Sequence, residues 1–413
     1  MGNALIPVAF GLGIRLLGLG REPLESRWME GLVLVAVLPG MALAHPSSIM
    51  AFLAFMVPPL LFSWGRSSAK FFRDSPRSWP ALVGMLAALG GGSGVLVLLW
   101  QKLRPLEEAA FWPPIESTGR AIGEVLTSSA IGRPVSWTVM LLSVAGIMIL
   151  INSRSRLWLL GSYFVAAGLF IVVASFPAGP VRMFITGVWY NDPPRLASLL
   201  PLVTLPLATI GAVACWDRLA VPTVEKLSLR VVQARVGRTT LGGSASTIVA
   251  AAVAGALLIV STQQANLREA VNSAVPSYQL TDDSPLISTD ELTLIDRIDS
   301  KVPEDAVIAD NPWNGSALAY AFSGRRVLQP HMNGDMPPGA KKIIDELNEA
   351  AADPSICSDV KRLKVEYVLD FGHREVHGAD HGYRGLDHLA QNGVARLIDS
   401  EGEAKLYELT ACK

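Results

Sequence analysis

Charge is what this sequence has least of. Only 17% of the 413 residues are Asp, Glu, Lys or Arg, against about 25% in a soluble globular domain, so most of the chain cannot furnish a surface for water. Also missing are a phosphate-cradling G-x-x-x-x-G-K-[ST] loop, a G-x-S-x-G elbow and a dinucleotide fingerprint. No basic stripe interleaved with aromatics is present, which excludes nucleic acid as a partner. Cysteine is scarce, with three in the whole chain.

What fills the chain is hydrocarbon. Half of the residues are apolar, and apolar runs long enough to cross a bilayer core of ~30 Å stand near 4–20, 28–44, 48–64, 79–100, 135–152, 156–175, 195–216 and 246–262. The scarce charge is also uneven. Residues 1–262 carry 20 Lys+Arg and 11 Asp+Glu, a net of +9, whereas residues 263–413 carry 15 and 25, a net of −10. The expected fold is therefore an α-helical polytopic membrane domain of about eight spans over 1–262, a linker with one helix over 263–300, and a small exported α/β domain over 301–413.

Orientation follows from the short loops, because Lys and Arg resist translocation. The 65–78 connection holds Arg66, Lys70, Arg73 and Arg77, the 153–156 turn holds Arg154 and Arg156, and 217–245 holds five bases against two acids. These loops are placed in the cytosol, and the acidic tail outside. With Arg21 and Arg27 also cytosolic, the first run enters from the outer side, and spans are expected to have once preceded it. Pro39, Pro58, Pro59, Pro201, Pro206 and the Gly90–Gly94 run mark kinks and close helix packing.

In the outer loop 101–133, Ile115, Ile122, Val125, Leu126 and Ser129 share one helical side while Arg120, Glu124 and Ser128 fall away from it. A short amphipathic helix on the membrane surface is expected, with Trp112 as an interfacial anchor. In the tail, strands are expected at 306–310, 326–329, 365–370, 394–399 and 404–410, and helices at 315–323, 339–352, 355–363 and 386–392. Cys215 falls in a span, while Cys357 and Cys412 both lie in the exported domain and are expected to form a disulfide.

Four groups of residues are candidates for chemistry. In GVWYNDPPRLASLLPLV (187–203), Trp189 and Tyr190 sit just outside a span that begins near Arg195, and Pro193 and Pro194 allow no regular structure before it. A guanidinium matches a phosphate bidentately, so Trp189, Tyr190, Asp192 and Arg195 could hold the phosphate and first sugar of a lipid-linked donor. The plainer alternative is an aromatic belt with an Asp192–Arg195 pair stapling the loop. In the 309–331 stretch, Asp310 and Asn311 end a strand, Pro312 turns the chain, and Asn314 starts a helix that Gly324 ends. With Trp313 and His331 they could bind and stack on a sugar, or simply punctuate strand–turn–helix.

His45 stands in the turn between the second and third spans, either facing a cavity or as a plain turn residue, with Ser47 or Ser48 capping the next helix. His373, His377, His381 and His388 would share a helix face and could bind zinc with Asp380. Gly372, Gly378, Gly382 and Gly385 point instead to a solvated loop, so no metal ligand is assigned.

The W-Y-x-D-x-x-R pattern of 189–195, the His-Pro turn at 45–46, the D-N-P-W-N-G-S run from Asp310 and the terminal L-Y-E-L-T-A-C resemble an actinobacterial family of polytopic membrane proteins of uncharacterised function, DUF6541-like. Its layout is similar to that of GT-C glycosyltransferases. The resemblance implies a membrane glycosyltransferase, or the C-terminal part of one, using a polyprenyl-phosphate-linked sugar to build cell-wall glycan on the outer face. A divalent metal is implied only in that case. Such enzymes use an acid in the first outer loop as base or metal ligand; the 45–48 turn has none, leaving Asp192, Glu108 or Glu116 as substitutes. The alternative is a non-catalytic membrane scaffold or lipid- or glycan-binding protein.

Overall fold

The computed structural model describes residues 2–20, 26–74, 79–110, 112–223, 243–284, 286–332, 334–378 and 380–413. Arg21, Arg77 and the bases of 224–242, on which part of the orientation argument rests, lie outside the described residues, as do the side chains of Glu108 and His377. The chain divides into two compact units, Met1–Glu269 and Ala270–Lys413.

The first unit is helical throughout. Its elements are α1 (Ile6–Leu16), α2 (Arg27–Ala44), α3 (Pro46–Asp74), α4 (Trp79–Lys102), α5 (Thr118–Thr127), α6 (Trp137–Ile151), α7 (Leu157–Ser175), α8 (Pro180–Thr186), α9 (Pro193–Ala197), α10 (Leu200–Cys215) and α11 (Gly243–Tyr278). Among the described residues, six helical segments are long and apolar enough to cross a membrane: Arg27–Ala44, Pro46–Asp74, Trp79–Lys102, Arg154–Ser175, Pro193–Thr223 and Ile248–Pro276. The runs expected at 4–20 and 135–152 are apolar helices too, but shorter, as Gly2–Leu16 and Trp137–Ile151. Several apolar helices of this length mark a membrane protein.

An interior face and an exterior face divide these helices. α3 and α7 bury Ala51, Phe55, Met56, Tyr163, Ala166, Phe170 and Val173 in one core, and the Ser162 hydroxyl crosses between them to the Phe55 carbonyl at 2.9 Å. Apolar residues such as Val95, Leu98, Leu257 and Ile259 on α4 and α11 stay exposed, the pattern of helices that need an apolar solvent.

The glycines do not act where the sequence suggested. Gly90, Gly91, Gly92 and Gly94 have nothing within 4 Å of a Cβ position, so that run mediates no close approach. It is Gly146 of α6 and Gly211 of α10 that let two backbones touch: a Cβ on either would overlap the carbonyl of Leu207 or Leu142 on the other helix. α11 also runs past 262 to Tyr278, so the expected linker begins as helix.

The second unit is a five-stranded sheet in the order β2-β1-β3-β5-β4, built from β1 (Val307–Ala309), β2 (Arg326–Val327), β3 (Val365–Asp370), β4 (Ala395–Glu401) and β5 (Ala404–Leu409). β2, β1 and β3 are parallel, whereas β5 runs antiparallel to β3 and β4. On one face, α12 (Thr289–Ile295) and α13 (Ala319–Ser323) pack Leu294, Ile295 and Ala319 against Ile308, Leu369 and Leu406. On the other, α14 (Ala340–Glu346) and α15 (Cys357–Leu363) pack Ile343, Ile344 and Val360 against Ala309, Val368 and Tyr407. Ser288 and Glu291 form a reciprocal capping box that starts α12.

Cys357 and Cys412 are joined as a disulfide. No helix forms over 386–392. A 3-10 turn at Arg384–Leu386 replaces it, because His388 and Gly393 adopt positive φ, which a continuing helix forbids.

Candidate functional site

The 187–195 segment answers why so many unlike residues stand together. Tyr190 and Asn191 both take positive φ, 63° and 53°, which bulky residues do only when their surroundings dictate it. The dictating contacts centre on Asn191. Its Oδ1 accepts from the Thr186 hydroxyl at 2.8 Å, its Nδ2 donates to the Ala110 carbonyl at 3.1 Å, and its own carbonyl accepts from Arg182 at 3.1 Å.

Arg182 was not foreseen from sequence. It is 2% exposed, and its other donors go to the carbonyls of Trp112 and Val173, both at 2.7 Å. Burial lowers its pKa. A buried cation spent on three carbonyls ties together the 112 loop, the end of α7 and the 191 turn.

Within that frame Trp189 is 2% exposed and packs edge-on against Trp100 at 5.3 Å, so it is a core residue rather than part of an interfacial belt. Pro193 and Pro194 do not prevent regular structure; they occupy the first turn of α9, where proline's fixed φ and missing N–H suit a helix start. The turn leaves Tyr190 under the Arg195 guanidinium, 4.6 Å from its ring centre. Asp192 Oδ2 accepts from Arg195 Nε at 2.9 Å, and Arg195 Nη1 lies 3.4 Å from His45 Nε2, 150 residues away in sequence.

His45 is fixed by its own turn. Its Nδ1 lies 2.7 Å from Ser47 Oγ and accepts the Ser47 N–H at 3.3 Å, while Ser48 Oγ donates back to the carbonyls of Met41 and His45. The His45 ring, not Ser47 or Ser48, therefore serves the first turn of α3. Burial and then the Arg195 charge lower the His45 pKa. His45, Ser47, Met50, Leu103, Val188 and Tyr190 are among the residues lining a small cleft of about 110 Å³ beside this cluster. The Arg195 side chain is 41% exposed, and its Nη2 has no partner among the described residues.

Over residues 1–411 the chain matches a family of unknown function. It belongs to DUF6541. A search of curated proteins finds no match.

Three further features of this DUF6541 chain bear on chemistry. The first is a carboxylate pair at the start of α5, Glu116 just before the helix and Glu124 on it. Arg120 Nε lies 3.2 Å from Glu116 and 3.1 Å from Glu124, whose side chains are 3% and 8% exposed, and Glu124 accepts the Gly132 N–H at 3.0 Å. Glu124 thus faces the interior with Ala121 and Val125, while Ile122 and Leu126 are exposed. The amphipathic helix forms with its acid turned inward. Burial and the neighbouring Glu124 push Glu116 up to about 7. Arg15, the other charge inside an apolar run, is paired with Glu30 at 2.5 Å. Trp112 is 42% exposed.

The second feature is the strand-end cluster. Asp310 is fully buried; one oxygen accepts from the Gln329 N–H at 2.9 Å, and the other has no partner. Burial pushes it up to about 8. Asn311 Nδ2 donates to Glu375 at 2.8 Å, Asn314 caps the following turn through the Ser316 N–H at 3.0 Å, and Trp313 stacks on His381 at 3.5 Å. The structure thus brings Asp310, Asn311, Trp313 and Asn314 to one strand end with Glu375, His381 and Tyr383, which sequence reading did not assign. Gln329 Nε2 reaches the His331 carbonyl at 3.5 Å, so His331 meets the cluster through its backbone.

The third concerns metals. Among the described residues no three His, Cys, Asp or Glu side chains converge on a metal-sized site. His373 faces Asp387 at 3.2 Å and His381 faces Glu375 at 2.6 Å, two separate pairs.

Proposed function

We propose that this chain acts at the membrane on a phosphate-bearing lipid, as a GT-C-like glycosyltransferase or part of one, moving a sugar from a polyprenyl-phosphate donor to a cell-envelope glycan at the outer face of a bacterial plasma membrane. The observation that carries the reading is Arg195. It is held by the Asp192 carboxylate over the Tyr190 ring with His45 close by, leaves Nη2 without a partner among the described residues, and stands beside a cleft at the ends of candidate spans. A planar fork held this way suits a phosphate oxygen pair better than a lysine would. Glu116, with a proton affinity near neutrality, is the acid of this unit best tuned for general acid–base work.

One observation favours a second reading, a lipid- or glycan-binding protein without chemistry: Asp192, the acid nearest the cleft, is already engaged by Arg195. Full-length protein in nanodiscs separates the two. Binding of a radiolabelled polyprenyl-phosphate sugar is expected to fall at least about tenfold in Arg195→Ala, the loss of one charge-assisted contact pair, and partly in Arg195→Lys. Stability should change by less than ~1 kcal/mol, because the ion pair is half-exposed. Undiminished binding in Arg195→Ala would remove the assignment. Binding without sugar release, in Glu116→Gln and wild type alike, would leave the non-catalytic reading.

A further inference from the structure

The second unit holds a site that does not rest on Arg195. Its sheet order places β1 between β2 and β3. After β1 the chain leaves toward α13 on one face, and after β3 it leaves toward Tyr383, Leu386 and Leu389 on the other. Where neighbouring parallel strands send their following loops to opposite faces, a crevice opens at their carboxyl ends. Residues 310–316, 371–376 and 380–383 follow the carboxyl ends of β1 and β3.

At this crevice Glu375 is 6% exposed and receives three N–H groups: Asn311 Nδ2 at 2.8 Å, the His381 backbone N–H at 3.0 Å and His381 Nδ1 at 2.6 Å. An oxygen pair that meets only donors is an ionised acceptor, so the imidazole proton is assigned to Nδ1. Nε2 then carries the lone pair. The His381 side chain is 33% exposed, and Nε2 has no partner among the described residues. The ring cannot rotate away, since Trp313 covers one face at 3.5 Å and an interplanar angle of 6°, and Trp313 is fixed in turn by Asn311 Oδ1 accepting its N–H at 2.9 Å.

We propose that His381, with Glu375 as its positioning residue, is a ligand-binding group of the second unit that accepts a hydrogen bond from a hydroxyl of a neutral saccharide. The arrangement selects by charge and by shape. A buried carboxylate behind the imidazole repels anions. Next to the lone pair, the half-buried Trp313 offers an apolar wall to the C–H face of a sugar ring. A carboxylate–histidine pair sets the tautomer and the ring orientation, which holds the outward nitrogen in place to meet an O–H donor.

The test is carbethoxylation of His381 by diethyl pyrocarbonate, mapped by mass spectrometry on the full chain in detergent, with free maltose, cellobiose and lactose as probes. At twice its dissociation constant a binding disaccharide slows labelling about threefold. Wild type is expected to show this with at least one probe, and Glu375→Gln, which turns an acceptor into a donor facing Nδ1, to lose it. Should Glu375→Gln fail to fold, His381→Gln is expected to abolish the disaccharide signal in saturation-transfer NMR while leaving the thermal midpoint in place. The proposal is overturned if none of the three sugars slows labelling, if Glu375→Gln keeps full protection, or if Zn²⁺ protects where the sugars do not.

Discussion

Each unit buries an acid, and the two acids are handled differently. Glu116 of the first unit lies against a second carboxylate and a bridging guanidinium of the helix that follows it, α5, and burial with the Glu124 charge raises it to about 7. Asp310 of the second unit has no ionic partner among the described residues, only the backbone N–H of Gln329, and burial carries it to about 8. In the first unit opposite charge meets Glu116 and Glu124, and Arg182 lies on carbonyls. At the strand end of the second, Asp310 is met by a backbone amide and a proton. Where neighbouring helices are apolar, few partners are in reach except other loop charges; at a strand end, free backbone groups are plentiful.

That contrast can be broken most forcefully at the α6–α10 contact. Gly211→Val places branched atoms into the Leu142 carbonyl, and overpacking against a backbone is expected to cost at least ~3 kcal/mol. Hydrogen exchange should show α6 and α10 losing protection while β1, β3 and β5 keep theirs. Equal loss in both would mean the units do not fold as separately as their cores imply.

Next in size is Arg182→Ala, which strands the carbonyls of Trp112, Val173 and Asn191. Each unsatisfied buried acceptor costs about 1–3 kcal/mol. Limited proteolysis is expected to open the 110–113 and 190–192 segments, and Arg182→Lys to rescue little, since one ammonium cannot span three acceptors in the same plane.

The smallest effect sharpens the comparison by pH. Both acids have folded pKa values above their ordinary ones, 4.5 for Glu116 and 3.8 for Asp310. Each therefore contributes stability that is complete in acid and is lost as pH rises through the folded value. Amides of 121–132 should lose protection up to about pH 7, and those of 307–329 up to about pH 8. Glu116→Gln is expected to flatten only the first profile and Asp310→Asn only the second, after correction for intrinsic exchange. A single shared profile would show that the two acids do not report on separate units.

Much of this was legible in the residues. Apolar runs located the helices because hydrocarbon length is a one-dimensional property, and the short apolar and aromatic runs VEYVLD and AKLYEL located β3 and β5. The Asp192–Arg195 pair could be suspected because it is three residues apart. Arg182, by contrast, looked like an ordinary loop base; only its burial shows its role, and the clue in sequence was a cation in a loop whose one other charge is Asp192. Trp189 was misjudged for the converse reason. An aromatic at a span end fits an interfacial belt as well as a core until its neighbours are known, and Trp100 is far away in the chain. Glu375 was passed over and His381 was weighed only as a metal ligand, because the glycines around them signalled a loop, and a loop's partners are set by the strands it follows.

The sequence by itself determined that this is a chain of long apolar helices with a charged, sheet-forming tail, because composition and periodicity act locally and add along the chain. Only the tertiary structure decided which polar groups meet: His45 with Arg195, Arg182 with three carbonyls, Glu375 with His381. Hydrogen bonds and ion pairs act over a few ångströms, and contacts between residues up to 150 apart exist only once packing has closed the distance.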